Sequence, residues 1–301
     1  MSRKHPVIAI TGSSGAGTST VTNTFQQIFS RERVTSAVVH GDSFHRYDRA
    51  GMKQAYADAA ETGKFEFSHF GPDANNFEDL EALFRQYGES GTGRIRDYIH
   101  DNEEAAASGQ APGTFTPLHD LHPGTDLLYY EGLHGAVQTD TVDVAKYVDL
   151  LIGVVPIINL EWVQKLHRDR SKRGYSTEAV TDTILRRMPD YVHYICPQFS
   201  NTHINFQRVP VVDTSNPFIA SWIPTADESM VVIRFADPRG IDFPYLLSMI
   251  DGSFMSRANS IVVPGGKMDL AMQLIFTPMI WRLVENARKT RGLTGTRRQA
   301  G

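Results

Sequence analysis

Cysteine is almost absent from this sequence, which has a single one, Cys196, among 301 residues. One cysteine excludes a disulfide within the chain and favours a reducing compartment, so we expect a cytoplasmic protein. Long apolar runs are also missing, because no stretch approaches the roughly 20 residues that span a bilayer, and we expect no membrane partner. Neither sign of charge dominates: the net charge is −4, which gives no support for binding nucleic acid.

Lysine is missing from one position where a well-known motif would have it. The segment GSSGAGTS at 12–19 follows the apolar run PVIAI at 6–10 and has the spacing of a phosphate-binding P-loop, with Thr18 in the lysine's place. Its glycines and the start of the next helix direct backbone N–H groups at one point, which favours a bound phosphate. Ser19 offers a hydroxyl to Mg²⁺, whereas the positive charge must come from elsewhere. The alternative interpretation is an ordinary glycine and serine turn between a strand and a helix.

Apolar runs alternate with amphipathic segments, so the sequence predicts an α/β fold with a mixed, mostly parallel central sheet flanked by helices. Hydrophobic residues make up 41% of the chain, which is enough for a sizeable core. The predicted strands are Val7–Ile10, Ser36–His40, Leu127–Tyr130, Val148–Val155, Val209–Val212 and Met230–Phe235, and the predicted helices are Thr18–Ser30, Arg49–Thr62, Phe77–Tyr87, Leu160–Lys172, Thr177–His193 and Leu270–Ala287. We expect one domain over residues 1–288, an excursion outside the main sheet at 89–125, and a disordered basic tail at 289–301.

Acidic residues follow two of the predicted strands. Asp42 comes after Ser36–His40, and Glu131 ends Leu127–Tyr130 in the manner of a Walker B acid, which usually holds Mg²⁺. Ligands of open α/β sheets lie beyond the carboxyl ends of the strands, so we expect both carboxylates near the phosphate loop. There Asp42 can accept a proton from a hydroxyl that attacks a phosphate; the alternative is a turn or cap aspartate. His45 and Arg49 follow closely and indicate an anionic ligand.

Basic residues are dense on the two helices predicted after residue 160. Lys165, Arg168 and Asp169 lie on the first helix, Arg173 ends it, and Arg186 and Arg187 lie on the second. A charged face with i,i+4 pairs that is merely solvated is the plain alternative. We favour a functional interpretation because the P-loop lacks its cation, and because the Arg173-Gly174 turn could belong to a mobile helical lid that excludes water.

Isolated arginines in or beside apolar segments form a weaker signal. Arg31 closes the first predicted helix, Arg234 interrupts an apolar strand, and Arg257 precedes another apolar run. An arginine in such a place usually extends its charged end to solvent, so the residues alone leave both a packing role and a binding role open.

Taken together, these segments resemble the bacterial phosphoribulokinases, within the phosphoribulokinase and uridine kinase family of P-loop kinases. The resemblance depends on GSSGAGTSTV at 12–21, GDSFHR at 41–46, YEGLHGAV at 130–137, VVPIINLEWVQKLHRDRSKRGYSTEAVTDTILRRM at 154–188 and PQFSNTHINFQRVPVVDTSNPF at 197–218. It covers nearly the whole chain apart from the tail. Thr18 in place of lysine fits the bacterial members.

The resemblance implies ATP-dependent phosphorylation of the O1 hydroxyl of ribulose 5-phosphate, a Calvin cycle reaction, with Mg²⁺ as cofactor. It implies that the ATP phosphates are bound by Gly12, Ser13, Ser14, Gly15, Ala16, Gly17, Thr18, Ser19 and Thr20, with Arg186 and Arg187 reaching ATP from the lid. Asp42 would be the base and Asp169 a second catalytic carboxylate, while Lys165 and Arg168 would serve substrate binding and transition-state charge. His45, Arg49 and Arg173 would hold the sugar phosphate, and Ser19 with Glu131 would serve Mg²⁺.

The same resemblance implies a homo-oligomer, a hexamer or octamer, that NADH activates and AMP inhibits through Arg31, Arg234 and Arg257. Two other functions stay open. One is a related kinase with another hydroxyl acceptor, such as uridine or glycerate. The other is a nucleotide-dependent switch without acceptor chemistry, to which the D-x-x-G match at 237–240 would belong; no guanine-reading N-K-x-D motif accompanies it.

Overall fold

The computed structural model describes residues 4–12, 18–64, 67–219 and 222–293. No helix within these ranges is long and apolar enough to cross a membrane. The strands are β1 (Val7–Gly12), β2 (Ser36–His40), β3 (Arg94–Ile95), β4 (His119–Asp120), β5 (Leu127–Gly132), β6 (Leu150–Val155), β7 (Ile204–Pro210), β8 (Ser229–Phe235), β9 (Phe254–Arg257) and β10 (Ser260–Pro264). The helices are α1 (Thr18–Glu32), α2 (Arg49–Glu61), α3 (Phe77–Ser90), α4 (Asn102–Ser108), α5 (Ile158–Arg173), α6 (Thr177–Asp190), α7 (Gln198–Asn201), α8 (Phe243–Met249) and α9 (Met268–Thr290).

The main sheet has the strand order β2-β5-β1-β6-β7-β8-β10-β9. Its first five strands run parallel to one another, and the last three are added antiparallel. The predicted mixed, mostly parallel sheet is therefore confirmed. Because β5 lies between β2 and β1 and pairs with both in parallel, the carboxyl ends of β2, β5 and β1 are neighbours at one edge of the sheet.

Helices cover the central strands on both faces, so these strands are continuous apolar runs rather than alternating ones. In β1 every residue is buried. On one face Ile8 and Ile10 pack with apolar residues of α1 and α9. On the other face Val7 and Ala9 pack with the apolar stripe of α3. The sheet is thereby packed between two apolar cores.

Capping residues account for the helix boundaries in several places. The predicted N-cap Ser176 is confirmed, because its side chain accepts a hydrogen bond from the Ala179 N–H at the start of α6. Asp48 does the same for α2 through the Gly51 N–H. The prediction of Asn159 as an N-cap is wrong: α5 begins at Ile158, one residue earlier, and has no side-chain cap.

Most predicted elements are confirmed, but the strand predicted at Val209–Val212 is misplaced. The real strand β7 spans Ile204–Pro210, where Ile204, Asn205 and Phe206 are buried and the residues after them are more exposed. Apolar and polar residues alternate only over residues 204–207, and the sequence interpretation followed the apolar run at 209–212 instead. The hairpin of β9 and β10 was not predicted as strands.

The excursion predicted at 89–125 lies outside the main sheet, as expected. It contains α4 and the short antiparallel pair β3–β4. The basic tail begins later than predicted, because α9 continues to Thr290 and the Arg291 guanidinium lies 3.5 Å from Asp126 Oδ1. Residues 294–301 of the predicted tail lie outside the described residues.

Candidate active site

A cleft of about 350 Å³ opens at the carboxyl ends of β2, β5 and β1. This edge is where open α/β sheets bind their ligands. The sequence-predicted residues that line the cleft are Gly12, Asp42, His45, Glu131, Lys165, Arg168 and Arg187. Gly12 and Glu131 lie at the ends of strands of the sheet, and Asp42 and His45 lie in the segment after β2. The other three residues belong to the hairpin of α5 and α6, here called the lid.

Two glycines allow the ends of β2 and β5 to approach each other closely. A Cβ atom on Gly132 would lie 2.7 Å from the Gly41 Cα and 2.5 Å from the Tyr130 hydroxyl oxygen. Only glycine fits both positions without a shift of the backbone. Because Asp42 follows Gly41 and Glu131 precedes Gly132, this contact brings the two carboxylates to the same side of the cleft.

Asp42 lies on a single 3₁₀ turn, Gly41–Phe44, and two histidines face its carboxylate. His45 Nε2 is 3.1 Å from Asp42 Oδ1, and His100 Nε2 is 3.5 Å from Oδ2. Burial raises the pKa of Asp42, but the hydrogen bond and charge of His45, with the charges of His100 and His40, outweigh it, and the net shift is downward. Asp42 is therefore ionised at neutral pH and able to accept a proton.

Several residues that line the cleft were not predicted from the sequence as site residues: His40, His69, Phe70, His100, Leu133 and Glu161. His100 belongs to the predicted excursion, and the Arg49 guanidinium donates a hydrogen bond of 3.0 Å to its carbonyl oxygen. Arg49 itself is exposed and does not line the cleft, and this hydrogen bond connects it to a residue that does. No residue spacing marks His100, because it reaches the cleft only through the folding of the segment at 89–125.

The lid contributes a buried carboxylate between two cations. Lys165 Nζ lies 2.6 Å from Asp169 Oδ2, and Arg168 Nε lies 3.1 Å from Asp169 Oδ1. Asp169 is only 3% exposed, which excludes the solvated charged face. Burial raises the pKa of Asp169, but the hydrogen bonds and charges of Lys165 and Arg168 lower it overall. Burial also lowers the pKa of Lys165 more than the bond to Asp169 raises it.

The structure separates the two arginines that were predicted to reach ATP from α6. Arg187 lines the cleft, with its guanidinium carbon 5.9 Å from the centre of the Phe70 ring. Arg186 is exposed and lies over the Tyr56 ring at 4.6 Å instead. Consecutive residues of a helix point about 100° apart, and of these two arginines Arg187 is the one that lines the cleft. Arg173 ends α5, and its side chain lies outside the described ones.

The phosphate loop is described only at its borders. Gly12 ends β1 and lines the cleft. Ser13, Ser14, Gly15, Ala16 and Gly17 lie outside the described residues, as do the side chains of Thr18, Ser19 and Thr20 at the start of α1. The predicted backbone cradle and the Ser19 hydroxyl therefore stay predictions.

A divalent metal ion fits the donors at this edge of the sheet. The Glu131 carboxylate faces the cleft and is 21% exposed, with one oxygen 3.9 Å from His40 Nδ1. Among the described residues no group of three or more His, Cys, Asp or Glu could hold a metal ion alone. Mg²⁺ commonly takes one or two carboxylates together with substrate phosphates and water, so a single glutamate beside a phosphate loop is a suitable donor set.

The three predicted effector arginines lie away from the cleft. Arg234 on β8 is in register with Ser260 of β10, and Ser260 is also in register with Arg257 of β9. Arg234 also faces Asn205 near the amino end of β7, so this row lies toward the opposite edge of the sheet. Arg31 is near the end of α1, where its guanidinium donates hydrogen bonds to α9.

Comparisons with known proteins agree over nearly the whole chain. The sequence model of the phosphoribulokinase/uridine kinase family matches residues 7–215. The plasmid phosphoribulokinase of Cupriavidus necator is 70% identical over 289 residues, which cover 96% of this chain and 99% of that protein. The phosphoribulokinase of Nitrobacter vulgaris is 67% identical, with 96% and 100% covered. The solved structure of the phosphoribulokinase from Rhodobacter spheroides has a TM-score of 0.88 at 62% identity and covers 95% of this chain and 99% of that chain.

Proposed function

Because the chain belongs to the phosphoribulokinase/uridine kinase family, we propose that it transfers the γ-phosphoryl group of ATP to the O1 hydroxyl of ribulose 5-phosphate. The products are ribulose 1,5-bisphosphate and ADP, and the reaction belongs to the Calvin cycle. The observation that carries the proposal is full-length similarity to phosphoribulokinases, at 70% identity over 96% of this chain. With a single cysteine, the proposed location is the cytoplasm.

In the proposed mechanism Asp42 is the base. As the O1 oxygen forms a bond to the γ-phosphorus, its proton passes to the Asp42 carboxylate, and the bond from the γ-phosphorus to the bridging oxygen of ADP breaks. The lowered pKa of Asp42 supports this role, because it keeps the carboxylate ionised where the enzyme works. The other residues position the reactants and stabilise charge, which is most of what phosphoryl transfer requires.

Positive charge for the transferred group comes from the lid in this proposal. Lys165, Arg168 and Arg187 line the cleft, and in this proposal they replace the lysine that is absent at position 18. Asp169 is the second catalytic carboxylate, which acts by orienting Lys165 and Arg168. Lid closure would complete the site and exclude water.

The remaining roles concern binding. Residues 12–20 hold the ATP phosphates, and His45, Arg49 and Arg173 hold the sugar phosphate. Glu131 and Ser19 hold Mg²⁺, which, when bound, neutralises charge on the β- and γ-phosphate oxygens. The 21% exposure of the Glu131 side chain in the cleft supports this role.

Steady-state kinetics of Asp42→Asn tests the base. We expect kcat to fall by about 100-fold or more with a modest change in KM, because the amide cannot take the proton. Asp58→Asn, on the exposed side of α2, is the matched control and should keep its activity. Near-normal turnover of Asp42→Asn would overturn the assignment. The same assay with ribulose 5-phosphate, uridine and glycerate tests the acceptor. If uridine or glycerate were phosphorylated and ribulose 5-phosphate were not, the proposed acceptor would be wrong.

We also propose that NADH activates the enzyme and AMP opposes it through Arg31, Arg234 and Arg257, in a homo-oligomer of six or eight subunits. The location of Arg234 and Arg257 away from the cleft supports a separate site, which allosteric control requires. Arg234→Ala should flatten the curve of activity against NADH concentration, whereas the exposed Arg94→Ala should not. An unchanged curve for Arg234→Ala would exclude Arg234 from the effector residues. Sedimentation equilibrium tests the subunit number.

A further inference from the structure

Asn75, in the loop before α3, contacts the cleft histidine His45 and was not singled out from the sequence. It is 1% exposed. Its Oδ1 atom lies 2.8 Å from His45 Nδ1, and its Nδ2 atom donates to the carbonyl oxygens of His69, at 2.9 Å, and Gly71, at 2.8 Å. Both polar atoms of the Asn75 side chain therefore take part in hydrogen bonds.

The partners of Asn75 determine where one proton of His45 lies. Two backbone carbonyls can only accept hydrogen bonds, so the amide nitrogen of Asn75 must face them. Its Oδ1 atom then faces His45, and that oxygen can only accept. The Nδ1 atom of His45 must consequently carry a proton.

The other ring nitrogen is determined in the same way. His45 Nε2 lies 3.1 Å from Asp42 Oδ1, and an ionised carboxylate only accepts. A hydrogen bond there requires a second proton, on Nε2. We propose that Asn75 is a positioning residue that holds His45 as an imidazolium against the Asp42 carboxylate. For its catalytic meaning this inference rests on the proposed role of Asp42 as the base.

The charged surroundings of His45 are compatible with an imidazolium. Burial lowers the pKa of His45, but the hydrogen bond and charge of Asp42 and the hydrogen bond to Asn75 raise it by more, against the charge of Arg96. Arg96 also donates to the His45 carbonyl oxygen. The titratable groups around the ring are Asp42, His69, Arg96, Tyr98, His100 and His134.

The backbone holds these two segments together independently of the Asn75 amide. His45 and Asn75 form an antiparallel bridge. The Arg46 N–H donates to the Ala74 carbonyl at 2.8 Å, and the Asn76 N–H donates to the Phe44 carbonyl at 2.8 Å. A change of the side chain at 75 therefore leaves the attachment of the loop in place, and its effect on His45 can be measured.

The consequence for the reaction concerns the two oxygens of Asp42. The imidazolium engages Oδ1 from one side and fixes the plane of the carboxylate, which directs Oδ2 toward the side of His100. The proton acceptor is thereby oriented before substrate arrives, and a fixed cation lies beside a site for an anionic sugar phosphate. Asn75 does this without touching the reacting atoms.

Nitrogen-15 NMR of the full chain tests the proposal without substrate, with His45→Gln used to assign the signals. In the unsubstituted chain both ring nitrogens of His45 should be protonated below its pKa, and the proton that stays above the pKa should be on Nδ1. If the proton that stays is on Nε2, the proposal is wrong. This measurement uses the unsubstituted chain and so does not depend on whether Asn75 variants fold. Because no turnover is involved, this result is independent of whether Asp42 is the base.

Asn75→Ala should lower the pKa of His45, because the acceptor for Nδ1–H is lost, whereas Asn75→Asp keeps an acceptor and should raise it. Asn76→Ala is the matched control, since Asn76 does not cap the helix that follows it, and it should leave the pKa unchanged. In kinetics Asn75→Ala should reduce kcat/KM by about 10- to 100-fold and move its alkaline limb to lower pH. Equal titration of His45 in Asn75→Ala and the unsubstituted chain would overturn the assignment.

Discussion

The ammonium group of Lys165 lies 2.6 Å from the carboxylate of Asp169, one helical turn further along the lid. Lys165 is 16% exposed and Asp169 4% exposed in their side chains, and the Arg168 guanidinium completes the group. The carboxylate thus holds two cations near one another on the face of the lid that borders the cleft. Such an arrangement places positive charge at the wall of the cleft.

Asp169→Asn should destabilise the protein, because it removes the carboxylate charge that accepts hydrogen bonds from Lys165 and Arg168 in a poorly hydrated place. We expect the free energy of unfolding to fall by about 3 kcal/mol, the lower end of the range for breaking a buried ion pair, since Arg168 keeps access to solvent. Urea unfolding at neutral pH measures this. Asp182→Asn, the same change on the exposed face of α6, should have little effect; equal losses in the two variants would contradict the prediction.

The pair of Asp42 and His45 should make stability depend on pH in a defined window. The pKa of Asp42 is lowered from 3.8, so its contribution is present above 3.8 and is lost as the pH falls through the folded value. The pKa of His45 is raised from 6.5, so its contribution is full below 6.5 and is lost as the pH rises through the folded value.

The stability lost in His45→Gln should consequently be largest between these two ordinary values and should shrink in alkaline solution. Urea unfolding of the unsubstituted chain and the variant at pH 5 and pH 9 provides the comparison. The exposed His122→Gln serves as control and should show no such trend. A difference between variant and unsubstituted chain that grows with pH would have the wrong sign for this pair.

The fold was predictable because its signals are local. Strand β1 is an unbroken apolar run followed by glycines and a helix, and β2 and β5 each end in a polar residue. The prediction failed at β7, where apolar and polar residues alternate only over residues 204–207 and the apolar run at 209–212 gave a stronger signal. Alternation of this kind over a few residues is easily outweighed by a continuous run.

The site residues near strand ends were predictable from the sequence. Those on irregular loops that are distant in sequence were not. Asp42 and His45 follow β2 and Glu131 lies near the end of β5, so the parallel topology brings them to the same edge of the sheet. His100 and Asn75 reach the cleft through irregular loops whose course depends on tertiary contacts. Arg186 and Arg187 are adjacent in sequence, but their directions on the helix differ by about 100°, and of the two Arg187 lines the cleft.

Gly132→Ala should separate the ends of β2 and β5. The new Cβ would lie 2.7 Å from the Gly41 Cα, a backbone atom that cannot move alone. We expect a loss of about 1–3 kcal/mol in the free energy of unfolding, as for other overpacked sites, together with a lower kcat because Asp42 and Glu131 move apart. Gly266→Ala is the control, since its new Cβ would meet only the Asp227 side chain. Unchanged stability and kcat in Gly132→Ala would show that the contact is dispensable.

Arg288→Ala should weaken the attachment of the end of α9 to the sheet. The Arg288 guanidinium donates to both carboxylate oxygens of Asp126, at 2.9 and 2.8 Å, and Asp126 is 8% exposed. Without it a nearly buried carboxylate keeps Arg291 as its cation, so we expect a loss of about 1–2 kcal/mol in the free energy of unfolding, near the value of a charged hydrogen bond. Lys289→Ala removes an exposed neighbouring cation and should cost almost nothing. Equal stability of the two variants, measured by urea unfolding, would contradict a stabilising role for the pair of Arg288 and Asp126.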